Sequence, residues 1–141
     1  MWILDLLVIG PGEGVDGVVK KSSFYLKTNV KHFMGRSFQK AIEGHIYMVE
    51  LHKVNSISRR QAKFQLIVNE NRNNLNLTVE CLSKNCPMLI SGVRRPKPVQ
   101  LLAGEKTPMV LEAGDVIQFG EYIIATVVKS FVQWFIILAL T

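Results

Sequence analysis

The sequence predicts an all-β sandwich. Three observations carry that prediction. Short runs of branched and aromatic residues recur about every 8 to 12 residues with turn signals between them, which is sandwich spacing. Two segments, from Ala62 to Asn69 and from Leu75 to Cys81, alternate apolar and polar residues with the period of two that a half-buried strand needs. No stretch sustains an apolar helical repeat. The 141 residues are 48% hydrophobic and 20% charged, which suits one domain with a core of its own and leaves no room for two large ones.

The elements follow in order. Trp2 to Ile9 is rich in large apolar residues and reads as a first strand, closed by the loop Gly10-Pro11-Gly12-Glu13-Gly14. Phe24-Tyr25-Leu26, a turn at Lys27-Thr28-Asn29, and Val30 to Met34 read as a hairpin. His45 to Leu51 is a further strand, with Ile46, Met48 and Leu51 as inward candidates. Ala62, Phe64, Leu66 and Val68 face inward on the next, and the polar run Asn69 to Asn74 turns the chain. Leu75, Leu77, Val79 and Cys81 form the clearest strand face. Met88-Leu89-Ile90 resumes the pattern and Ser91-Gly92 ends it.

Arg94-Arg95-Pro96-Lys97-Pro98 reads as an exposed loop, because its prolines withhold backbone donors and its charges resist burial. Val99 to Leu102 and Met109 to Leu111 flank another loop, and Glu112-Ala113-Gly114-Asp115 is a tight turn. Val116 to Gly120 and Tyr122 to Val128 close the fold. From Phe131 to Thr141 every residue but Gln133 and Thr141 is apolar. That tail is shorter than the roughly 20 residues a membrane span requires, so it reads as a last strand or an apolar end, and no membrane is expected.

Seventeen Lys and Arg against eleven Asp and Glu give a formal charge of +6, which favours an anionic partner. Cys81 and Cys86 lack the His or Cys companions of a zinc site and read as reduced thiols, Cys81 in the core. Met1 to Asp5 has no basic leader and carries an early acid, so an intracellular location is expected, in which Asn76-Leu77-Thr78 is a chance glycosylation match. His32, His45 and His52 have no partner arrangement, no Gly-rich loop precedes a helix, and no carboxylates pair at a useful spacing. An enzyme is the least expected class, and nothing calls for a cofactor.

The chemistry gathers in Asn55-Ser56-Ile57-Ser58-Arg59-Arg60-Gln61-Ala62-Lys63-Phe64, downstream of Gly35-Arg36-Ser37. Serines and arginines on one short loop, with another arginine at a strand end, collect hydroxyl and guanidinium donors around a compact anion. A guanidinium offers phosphate two parallel charge-assisted bonds that an ammonium cannot match. Ser56 is read as capping the loop through its own backbone.

These residues, with Asn85-Cys86 and Gly114-Asp115-Val116-Ile117-Gln118-Phe119-Gly120, carry a resemblance to the forkhead-associated (FHA) family. The matching elements are Gly-Arg after an early strand, a Ser-x-x-His-Ala segment, an Asn-Gly turn, and a late Gly-Asp-x-Ile-x-Phe-Gly. The resemblance covers roughly residues 1 to 128, leaving 129 to 141 as an apolar tail. It implies an FHA-like (SMAD/FHA) β-sandwich of about eleven strands that binds phosphothreonine peptides without chemistry. On this resemblance Arg36 and Ser58 hold the phosphate, Arg59 with Lys84 or Arg60 encloses it, and Asn85 reads the peptide main chain. Gly35, Gln61, Gly114, Asp115, Phe119 and Gly120 are the structural positions.

Two departures stand out. Gln61 occupies the position of the family's bracing histidine, and its amide supplies both a donor and an acceptor but not a rigid ring. Cys86-Pro87 replaces Gly-Thr, so a turn that needs positive φ is expected to be strained and Asn85 displaced.

Within the family, Met1-Trp2 and Ser56-Ile57-Ser58-Arg59 look most similar to the opening of a regulatory subunit of a nuclease complex that handles DNA double-strand breaks. That similarity implies a nuclear location, phosphorylated partner proteins, and other subunits of such a repair complex as partners. The relative continues into BRCT domains, so on this reading the sequence is a fragment, isoform or shortened form. Two alternatives stand beside it: an FHA scaffold that has lost phosphate binding, and direct nucleic-acid binding through Lys20-Lys21, Arg94-Arg95 and Lys97. The aromatics are not interleaved with those charges, as a stacking platform for single strands would require.

Overall fold

Branched and aliphatic residues dominate the described segments, and all the regular structure they form is β. The computed structural model describes residues 1–9, 18–35, 57–71, 74–104, 108–120 and 123–130. Ten strands appear there: β1 (Trp2–Ile9), β2 (Val18–Leu26), β3 (Lys31–Met34), β4 (Ala62–Asn69) and β5 (Asn74–Cys81), then β6 (Met88–Ser91), β7 (Val99–Leu101), β8 (Met109–Leu111), β9 (Val116–Phe119) and β10 (Ile123–Lys129). They build a six-stranded sheet in the order β2-β1-β10-β9-β6-β7 and a four-stranded sheet in the order β3-β4-β5-β8. Every paired strand is antiparallel. Ten strands stand close to the expected eleven. The His45 to Leu51 strand, the Gly10 to Gly14 loop, Tyr122 and the tail lie outside the described residues.

The core forms where the inward faces of the two sheets meet. Leu4, Leu6, Ile90, Ile117, Phe119, Ile123 and Val127 from the larger sheet are buried against Met34, Phe64, Leu66, Leu77, Val79 and Leu111 from the smaller. Burial of this kind supplies about 25 cal/mol per Å² of apolar area removed from water, so the alternation along each strand decides which face turns in. Cys81 and Cys86 are both buried and unbonded to each other.

Several expectations need correction. β2 and β3 do not form a hairpin, because they belong to different sheets. The intervening turn carries the chain across the sandwich: Asn29 adopts φ 63°, a left-handed conformation that asparagine tolerates, and Thr28 bridges in parallel to Leu66 of β4. β2 also begins well before Phe24. Lys20, Lys21, Ser22 and Ser23 gave it no apolar signature, and an edge strand with one side open to water needs none.

Val68 is 49% exposed rather than inward, at the turn end of the β4–β5 pair. Arg95 is not a solvated loop charge. Its Nε and Nη2 donate to Asp115 Oδ1 at 3.3 Å and Oδ2 at 2.9 Å, and Nη2 also reaches the Val110 carbonyl at 3.0 Å. Asp115 is buried and accepts the Glu112 N–H as well, at the turn where Gly114 takes φ 93°. This ion pair ties the β6–β7 loop to the β8–β9 turn.

Candidate functional site

The candidate site is built where three segments converge at one end of the sandwich: the end of β3, the loop leading into β4, and the loop from β5 to β6. Gly35 follows β3 directly. A Cβ placed there would come within 1.8 Å of the Arg59 carbonyl oxygen, so only glycine lets β3 pass beneath the Ser58-Arg59-Arg60 loop. Arg36, the next residue, lies outside the described residues, as does Ser56.

Gln61 is fully buried and ties four segments together. Its backbone N–H donates to the Met34 carbonyl at 2.7 Å, and its backbone carbonyl accepts the Leu82 N–H at 3.0 Å. Its side-chain Oε1 accepts the Ser58 N–H at 3.1 Å, while Nε2 donates to the Cys86 carbonyl at 2.7 Å. One amide therefore fixes the two loops that hold Ser58 and Asn85 relative to each other. Each of these bonds also satisfies a backbone group that would otherwise be left without a partner close to the core.

Ser83 is the residue that sequence reasoning missed. Its side chain is buried, and its Oγ accepts the backbone N–H of Asn85 at 3.2 Å and of Cys86 at 2.9 Å. The same Oγ hydrogen-bonds Ser58 Oγ. A hydroxyl has two lone pairs and one proton. Two amides occupy both lone pairs of Ser83, so its proton goes to Ser58 Oγ, and Ser58 acts as the acceptor in that pair. The proton of Ser58 is then left without an acceptor among the described residues. A half-buried hydroxyl held by its oxygen and carrying an uncommitted proton is arranged to donate to an anion.

The Cys86 turn does not take the strained conformation expected of it. Among the described residues Asn29 alone of the non-glycine residues has positive φ. The two amide bonds to Ser83 shape the turn instead, and Cys86 packs into the core at 5% exposure. Burial pushes the Cys86 thiol up from its ordinary pKa, partly offset by the Gly120 backbone and reinforced by the nearby Cys81.

Around this frame Arg59, Arg60, Lys84 and Asn85 are exposed. Arg60 lies over the Phe33 ring, its guanidinium carbon 5.7 Å from the centroid, and is directed along the outer face of the four-stranded sheet. Arg59, Lys84 and the Asn85 side chain have no hydrogen-bonding or ionic partner among the described residues. Ser58, Arg59, Lys84 and Asn85 thus share one rim, with Arg60 at its side. Gly114 and Asp115 sit at the opposite end, in the Arg95 network. Phe119 is core, and Gly120 ends β9 with φ 58° close to Cys86.

No family model matches the sequence, and no curated protein does. Solved structures do. The chain is similar to the crystal structure of the MEK1 FHA domain, with a TM-score of 0.55 at 16% identity over 90% of this chain and 89% of that one. Full-length yeast Pml1p matches with a TM-score of 0.53 at 15% identity, covering 90% and 81% of the two chains. A second structure, of the yeast Pml1 splicing factor described with its integration into the RES complex, gives 0.55 at 15% over 92% and 80%. At such identities the likeness defines architecture. The chain has the FHA fold.

Proposed function

We propose that this protein is a phosphothreonine-peptide-binding module. The observation that carries the reading is the Ser83–Ser58 hydroxyl pair: two amides already donate to Ser83 Oγ, so counting lone pairs assigns its proton to Ser58 and leaves the Ser58 proton for a ligand on a rim lined by Arg59 and Lys84. The FHA fold is consistent with it, because the resemblance assigns phosphate recognition to the loops that carry Ser58 and Asn85. Arg36, next after the Gly35 contact, supplies the main guanidinium fork, Ser58 the hydroxyl, Arg59, Arg60 and Lys84 the surrounding charge, and Asn85 the grip on the peptide backbone. Phosphothreonine carries about −1.5 to −2 charge near neutral pH, and each charge-assisted bond is worth roughly 1.5 to 3 kcal/mol.

Gln61 favours this reading over a scaffold that has lost phosphate binding, because its amide holds both loops in place. The nucleic-acid alternative loses Arg95, which is committed to Asp115. The finer reading places the module in a nuclear, nibrin-like protein of DNA double-strand-break repair and checkpoint signalling, where it recruits phosphorylated partners of a repair nuclease complex. It rests on the resemblance of Met1-Trp2 and Ser56-Ile57-Ser58-Arg59 to the opening of nibrin.

The test is titration with a phosphothreonine peptide library and its unphosphorylated counterpart, repeated with Arg36→Ala and Ser58→Ala. Binding that needs the phosphate and falls at least tenfold in each variant is expected. A folded protein with no phosphate-dependent binding overturns the proposal.

A further inference from the structure

A sheet ends in strands whose outer backbone groups have no ladder partner, and soluble proteins keep such edges short, charged or covered. Among the described strands, three of the four edges are short: β7 and β8 have three residues each and β3 has four. The fourth, β2, has nine. One side of β2 pairs with β1, and its other side meets no strand of the described residues. From Lys21 to Leu26 it is regular, each residue standing opposite one of β1. A long, regular edge is a template for another strand.

Its side chains select which strand that is. Directly paired residues share a face, so Lys21, Ser23 and Tyr25 of β2 stand on the outer face of the sheet beside Leu7, Asp5 and Ile3 of β1. Ser23 Oγ donates to Asp5 Oδ1 at 2.6 Å. Asp5 and Lys21 are both exposed, and neither has an ionic partner among the described residues. A second copy of β2 supplies one to each. An antiparallel pair about a twofold axis normal to the sheet keeps both outer faces on one side, so outward residues meet outward residues.

Three such registers lie near the middle of the strand. Centred on Lys21, the pairing sets two ammonium groups directly opposite, which is destabilising. Centred on Ser23, it sets Lys21 opposite Tyr25 of the second copy, a row away from that copy's Asp5. Centred on Ser22, it sets Lys21 opposite Ser23 of the second copy, in line with that copy's Asp5. The Cα atoms of Lys21 and the facing Asp5 are then two strand spacings apart, about 10 Å, a gap that the two side chains close across the small Ser23. Symmetry makes the ion pair twice.

We propose that β2 is a homodimerisation edge: two copies pair antiparallel about Ser22, joining their six-stranded sheets into one, with Lys21 of each on Asp5 of the other. The contact uses neither Ser58 nor Asn85, so it stands independently of the binding reading.

Sedimentation equilibrium of the full chain over a range of concentrations tests it. A reversible monomer–dimer equilibrium is expected. Lys21→Glu and Asp5→Lys should each weaken association by about tenfold or more, because each turns two attractions into repulsions. The protein carrying both changes, with the charges exchanged, should regain it. Should a charge reversal unfold the chain, Ser22→Cys gives a second readout: the axis sets position 22 against itself, so mild oxidation is expected to link the dimer, with the wild type and its buried Cys81 and Cys86 as background. A monomer at every concentration overturns the proposal. So does a dimer that neither reversal weakens, or a Ser22→Cys protein no more linked than the wild type.

Discussion

Ser83 shows how a single hydroxyl can set the chemistry of another. Its two amide bonds shape the turn that carries Asn85, and its proton fixes the role of Ser58. Ser83→Ala removes all three bonds and leaves the Cys86 N–H without its partner. Urea unfolding should show a loss of about 1 to 3 kcal/mol, the usual consequence of orphaning buried polar groups. On the binding reading the same variant weakens phosphopeptide affinity several-fold, although Ser83 touches no ligand, because Ser58 loses its orienting donor. Unchanged affinity in a folded Ser83→Ala protein would show that Ser58 needs no such orientation. Ser83 was invisible in the sequence for a physical reason. Its value lies in which lone pairs are occupied, and a serine in a polar loop carries no periodicity to reveal that. Gln61 was visible as a departure, but the joining of Met34, Ser58, Leu82 and Cys86 through it emerges only when the segments are placed in space.

At the scale of elements, local pattern and long-range placement separate cleanly. The alternation in β4 and β5 and the turn signals at Glu112 to Asp115 are local, and the sequence displayed them. The placing of β2 and β3 in different sheets is not local: Lys27 to Asn29 shows that the chain turns, not which sheet it joins. His32 belongs to that crossing. Its Nε2 accepts the Lys27 N–H at 3.2 Å, which puts the proton on Nδ1. Nδ1 finds no partner at hydrogen-bonding geometry, although the Phe64 and Val30 backbone lies close enough to favour a proton there. Burial nevertheless holds the imidazole below its ordinary value of 6.5, and Lys27 lowers it further. The unfolded chain therefore binds the proton more readily than the folded one. The stability that neutral His32 contributes is present above pH 6.5 and is lost as the pH falls below that value toward the folded pKa. Unfolding free energies from pH 7.5 to 5 should decline more steeply for the wild type than for His32→Gln; equal slopes would remove His32 as the cause. Arg95 and Asp115 make the matching case at the other loops. Arg95→Ala leaves the buried Asp115 carboxylate with only the Glu112 N–H among the described residues, and should cost about 3 kcal/mol by denaturant melts. A loss under 0.5 kcal/mol, the scale of an ordinary surface change, would return Arg95 to the solvated loop that its flanking prolines suggested.

For the molecule as a whole, the two thiols report how the candidate site is coupled to the core. Cys81 sits at the end of β5 at 2% exposure, and Cys86 in the β5–β6 loop at 5%. Neither is reachable by a reagent until its segment opens, and burial holds the Cys86 thiol protonated while its loop stays closed. Cys86 belongs to a loop held by Gln61 and Ser83, so it opens when that loop lifts. Cys81 is locked into the β4–β5 ladder opposite Ala62 and needs a larger opening. Native-state labelling with a disulfide reagent, mapped by mass spectrometry, should therefore be slow at both and slower at Cys81. On the binding reading, a phosphothreonine peptide that grips Ser58 and Asn85 binds only the closed loop. At about 100 times its dissociation constant it should slow Cys86 labelling by as much as ~100-fold, equivalent to about 2.7 kcal/mol added to the closed state. Cys81 gains the same protection only if its opening also releases the peptide, so the ratio of the two effects measures how far loop and core move together. Rapid labelling of Cys86 in the native protein would mean that the loop is not held by its hydrogen bonds. Slow labelling that phosphopeptide leaves unchanged would mean that the closed loop is not what the ligand grips.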